Sequence, residues 1–78
     1  MKNLIINPGM TKHEAIKVIL SDRKAYSKSL NYAVNYCREA LHMTEGTDEF
    51  NVQCLYILEN IRYWCHPQAK EVRATLKR

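Results

Sequence analysis

The chain has 78 residues, 46% of them hydrophobic, with two glycines, two prolines and twelve Lys and Arg against eight Asp and Glu, a formal charge of +4. That is one domain with a thin core, at a size usually marginal without a disulfide, a metal or a second subunit. The composition excludes a disordered tail, and so few glycines and prolines argue against a multi-turn β fold.

Cys37, Cys54 and Cys65 are an odd count at wide spacings with no C-x-x-C pair, which speaks against a disulfide framework and fits a reducing cytosol. All three fall on apolar helical arcs, where a free thiol behaves as a small hydrophobe. No apolar run approaches the ~20 residues of a membrane span. Met1-Lys2-Asn3 is followed by only three apolar residues, so no signal peptide is read. A soluble, cytoplasmic protein is expected, and the mild positive charge leans toward acidic partners.

Residues 1–10 read as an extended segment. Leu4, Ile5 and Ile6 are closed by Asn7-Pro8-Gly9, where Pro8 disfavours helix at Asn7 and Gly9 permits a turn. The run is expected to lie over the end of a bundle or to pair with its copy.

Thr11-Lys12-His13-Glu14 spells a capping box opening a helix over 11–20, with Ala15, Ile16, Ile19 and Leu20 inward and Lys12, His13 and Lys17 outward. A second helix is predicted over 23–43. Tyr26, Leu30, Ala33, Val34, Cys37 and Leu41 share its inner face, and Lys28, Asn31, Asn35, Arg38 and His42 make a polar strip opposite. Thr44-Glu45-Gly46-Thr47-Asp48 is a short loop in which Gly46 supplies a positive φ and Thr47 or Asp48 caps the next helix. So short a link forces an antiparallel hairpin.

The third helix, predicted over 48–65, carries two apolar stripes. Phe50, Cys54, Ile57, Leu58, Ile61, Trp64 and Cys65 fall on one broad arc; Val52, Tyr56 and Tyr63, with Glu59 among them and Leu55 on a shoulder, fall nearly opposite. A helix apolar on most of its circumference must be covered on most of it, by bundle neighbours or by another subunit. Pro67 opens the first turn of a fourth helix over 67–77, with Ala69, Val72 and Leu76 inward and Lys70, Arg73, Lys77 and Arg78 toward water. The fold expected is an all-α four-helix bundle built on an antiparallel helical hairpin, self-associating through the third helix, a dimer being the foremost form.

No residue set spells out a reaction. Cys65 and His66 are adjacent and point apart, and Cys37 and His42 are five residues apart, which matches no structural zinc spacing. A thiol nucleophile here would lack an acidic third partner, and no glycine-rich loop cradles phosphate. No enzyme activity, metal or cofactor is therefore expected. Two surfaces remain. Tyr32, Tyr36, Val52, Tyr56, Glu59 and Tyr63 read as interhelical filling, a subunit interface or a ligand surface, since tyrosine combines apolar area with a hydrogen-bonding tip. Arg23, Lys24, Lys28, Arg38, Arg62 and Arg73 read as a solvated face or as phosphate contacts. For phosphate, the candidate arrangement is a helix-turn-helix of the first two helices exposing Arg23, Lys24, Ser27, Lys28 and Asn31.

The hairpin Leu30-Asn31-Tyr32-Ala33-Val34-Asn35-Tyr36-Cys37 and Val52-Gln53-Cys54-Leu55-Tyr56-Ile57-Leu58-Glu59-Asn60-Ile61, with Trp64 and Ala69-Lys70-Glu71-Val72-Arg73, resembles a type of small all-helical protein found in phages and prophages of Gram-positive bacteria, over roughly residues 11–77. That resemblance implies an accessory protein that binds and modulates a host or antiphage-defence component. It carries no functional residues with it. A small DNA-binding regulator using the basic faces of helices 1–2 or of helix 4, and an oligomeric sponge for a nucleotide signal, are the other two expectations.

Overall fold

The structure is a computed structural model and describes residues 10–78. The expected extended segment over 1–10 lies almost wholly outside the described residues.

Helix α1, Lys12–Ser21, begins where the sequence says it should. The Thr11 hydroxyl accepts from the Glu14 N–H at 3.1 Å, and the Glu14 carboxylate accepts from the Thr11 N–H at 2.7 Å, so two otherwise orphaned donors are satisfied at once. Helix α2, Ala33–Ala40, is much shorter than the predicted 23–43. Arg23–Ala25 forms a 3-10 turn, and further turns carry the chain to Tyr32. Within them the Leu30 N–H reaches back five residues to Ala25 O at 2.9 Å, a wide turn that breaks the 3.6-residue register. Ser27, Ser29 and Asn31 are weak helix formers, and full burial of Leu30 decides the local path over propensity.

Helix α3, Asp48–Asn60, is capped by Thr47, whose hydroxyl accepts from the Phe50 N–H at 3.2 Å; Gly46 in the preceding loop has φ +92°. It stops five residues short of the predicted end. Ile61 leaves the helical region at φ −116°, ψ 20°, and the Asn60 side chain donates to Tyr56 O. The carbonyls freed at Ile61 and Trp64 are both taken by the Arg73 guanidinium, at 3.0 and 2.6 Å. Helix α4, Ala69–Lys77, therefore starts two residues after Pro67 rather than at it.

Each helix packs on its neighbours in sequence, and α4 returns to α1, so the bundle closes as a ring of four. No strand occurs among the described residues. The core is Ile16, Ile19, Leu30, Cys37, Phe50, Cys54, Ile57, Ile61, Trp64, Val72 and Leu76, with small Ala15, Ala33, Ala40 and Ala69 where helices approach. Each large aliphatic or aromatic side chain so buried contributes roughly 1.5–3 kcal/mol against exposure. Leu58, placed on the inner arc from periodicity, is only half-buried, and Cys65 is exposed, because the chain has left the helix before reaching it.

Long-range polar contacts fix the ends of the helices. The Trp64 indole N–H donates to Asp22 at 2.8 Å, the Tyr26 hydroxyl to Leu20 O, and one nitrogen of His13 meets Met43 O at 3.0 Å. His13, expected to point outward, is instead half-buried against the Phe50 ring, centroids 5.0 Å apart.

Candidate interaction surface

The second stripe of α3 is not covered by the bundle. Tyr56 is 51% exposed, Leu55 58%, Tyr32 71% and Tyr63 82%, while Val52 and Tyr36 are also open to solvent. Helices α2, α1 and α4 between them cover only the Phe50–Cys54–Ile57–Ile61 side. The reading in which the tyrosines fill the space between helices is thus corrected. Their stripe lies opposite the core, and four helices in a ring present only their inner sides to one another.

The structure brings part of the expected set together. Antiparallel packing of α2 on α3 places Tyr36 beside Tyr56, ring centroids 5.7 Å apart and tilted by 35°, a separation at which aromatic pairs attract. Below them the Gln53 amide, almost fully buried, donates to Tyr36 O at 3.0 Å and to Glu39 Oε1 at 3.1 Å, tying the two helices under the tyrosine pair. Val52 lies one turn from Tyr56 along α3, and Tyr32 one turn from Tyr36 along the other helix. Glu59 pairs with Arg62 at 3.7 Å, both strongly exposed, at the rim of an open depression lined by Leu55, Leu58, Glu59 and Arg62. Tyr63 lies beyond the end of α3, with the Arg62 guanidinium 5.9 Å from its ring, in a second depression lined also by Ala69, Lys70 and Arg73 on the α4 side. Leu55 and Gln53 were not among the sequence candidates. Leu55 was legible as a shoulder of the stripe, whereas the role of Gln53 needed the position of Glu39.

The basic residues do not converge. Arg73 is spent on the Ile61 and Trp64 carbonyls, Arg38 lies 5.9 Å from the Tyr26 ring, and Arg62 stands beside Glu59 just past the far end of α3. Arg23, Lys24 and Lys28 are exposed, but on the 3-10 and turn segment rather than on a helix. The recognition helix needed for a helix-turn-helix is therefore not formed by Arg23, Lys24, Ser27, Lys28 and Asn31, because the register breaks at Leu30.

The core thiols are chemically quiet. Burial pushes the Cys37 thiol up to about 12, with a smaller contribution from Cys54, and burial likewise raises Cys54. Neither supplies a thiolate near neutral pH. Among the described residues no group of three His, Cys, Asp or Glu side chains is placed to hold a metal, and no helix is long and apolar enough to cross a membrane.

Fold and surface together define a class: a small all-helical bundle presenting one exposed aromatic and aliphatic face. Comparison of the chain with protein-family models, with curated proteins and with solved structures gives no match.

Proposed function

We propose that this chain is a non-enzymatic binding protein, an accessory protein of the phage type that its hairpin resembles, and that it engages a protein surface through the outer face of α2 and α3. One observation carries the reading. Among the described residues, Tyr36, Val52, Leu55 and Tyr56 stay open to solvent on one side of a bundle that buries sixteen other apolar residues. Contiguous exposed apolar area on so small a domain marks an interaction site, and tyrosine is the residue type that most often anchors one. A host or defence component is the partner class that the resemblance suggests.

The test compares wild type with Tyr56→Asp and Leu55→Asp. Both positions are half or more exposed, so far-UV circular dichroism should be unchanged. Immobilised wild type should retain a discrete protein from extracts of the cell that carries it, and the variants should not. Retention should persist between ~50 and ~200 mM salt, where contacts to nucleic-acid phosphates lose orders of magnitude in affinity. Equal retention by all three proteins overturns the proposal.

A further inference from the structure

The exposed arc of α3 carries opposite charges at its two ends. In chain order its outward residues are Asp48, Glu49, Val52, Leu55, Tyr56 and Glu59, followed by Arg62 one residue past the helix cap; all are exposed. At 100° per residue Asp48 to Glu59 span an arc of about 120° and roughly 17 Å of helix axis, and Arg62 adjoins it beside Glu59, in the depression they share with Leu55. A two-fold axis through the midpoint of Leu55 and Tyr56 sets Leu55 opposite the other copy's Tyr56, Val52 opposite its Glu59 and Glu49 opposite its Arg62. Asp48 and Glu49 make its N-terminal end acidic, Val52, Leu55 and Tyr56 make its middle apolar, and at its C-terminal end Arg62 follows Glu59.

That pattern selects among occupants. A second α3 laid parallel would set Glu49 against Glu49 and Arg62 against Arg62. Laid antiparallel, it sets each Glu49 against the other copy's Arg62, with each Leu55 against the other copy's Tyr56 in the centre. Isologous interfaces require this self-complementarity, and opposed charges fix their register. Glu59 faces Val52 in this arrangement, and its carboxylate is already turned toward Arg62 of its own chain at 3.7 Å, leaving its methylene stem for the apolar contact. The charge distribution thus fits a second copy of this chain and no arbitrary acidic or basic partner.

We propose that the outer face of α3 is the contact of an antiparallel homodimer, with Leu55 and Tyr56 at its two-fold axis and Glu49 paired to Arg62 across it at both ends. The inference rests on the reading of this face as a protein interface, and puts a second copy on α3 where that reading put a host or defence protein.

The full chain, studied by sedimentation equilibrium from micromolar to millimolar concentration, should approach twice its 9.2 kDa mass. Glu49→Arg and Arg62→Glu should each weaken association about tenfold, since each replaces two attractive pairs by two repulsive ones. The double variant should recover wild-type affinity to within a few-fold, because the pairs are then restored with exchanged signs. A chain that stays monomeric, or a double variant no better than the singles, overturns the proposal. A photo-crosslinking phenylalanine analogue in place of Tyr56, in cells, separates this failure from that of the underlying reading. An adduct of twice the chain mass supports the dimer. An adduct with a different protein overturns the dimer and leaves the face as an interface. No adduct, or a cross-link within one chain to residues 1–9, overturns both.

Discussion

The indole N–H of Trp64 donates to a carboxylate oxygen of Asp22 at 2.8 Å, joining the stretch after α3 to the end of α1 across 42 residues of chain. Asp22 already closes α1, its own N–H reaching Ile19 O, so one residue ends a helix and anchors the largest buried side chain. A hydrogen bond to a charged acceptor contributes about 1.5–3 kcal/mol. Asp22→Ala should lower unfolding free energy by that amount in urea titrations. Combined with Trp64→Phe it should cost less than the two single losses added together. Strict additivity would show that the contact does not form.

Arg73 braces the segment between α3 and α4 by donating to the Trp64 carbonyl and to the Ile61 carbonyl, which also accepts from the Trp64 N–H. Arg73→Met keeps the aliphatic stem and removes both donors, and should cost about 2–3 kcal/mol. Amide exchange should quicken most around residues 61–66, with α1 little changed. Uniform acceleration would mean that the loss is global instead.

The thiols give a prediction in pH. Cys37 keeps its proton in the folded protein up to about 12, whereas the unfolded thiol loses it near its ordinary 9.0. Between those values the folded state binds more protons than the unfolded one, so stability contributed by the neutral thiol is intact below pH 9 and declines as pH rises toward 12. Cys37→Ala should flatten the decline measured by denaturant titration, and an identical slope would refute this. At pH 8 a thiol reagent should label exposed Cys65 quickly and reach Cys37 and Cys54 only on unfolding.

Two adjacent residues report the orientation of α3. Ile57 is fully buried and Leu58 half-buried. Ile57→Ala should cost about 2–5 kcal/mol, enough to threaten so small a domain, and Leu58→Ala distinctly less. Thermal melts giving the reverse order would place the core face one residue further on.

Local chemistry was enough for the sequence to set out where α1 and α3 begin, but not α2, which starts ten residues later than its pattern suggests. The Thr11–Glu14 box, the Thr47 cap and the positive φ of Gly46 depend on residues within a few positions of one another, and the inner faces of α1 and α4 follow from the 3.6-residue period. Where helices end was decided elsewhere. Leu30 is drawn into the core through a widened turn that periodicity cannot see, and α3 stops at Asn60 because Arg73, thirteen residues later, and Asp22, far earlier, offer partners to groups outside a helix. The two-striped pattern of residues 48–65 announced a helix needing cover on both sides. Only the tertiary structure showed which stripe the bundle takes, because a ring of four short helices has one inside, and Val52, Leu55 and Tyr56 were left on the other.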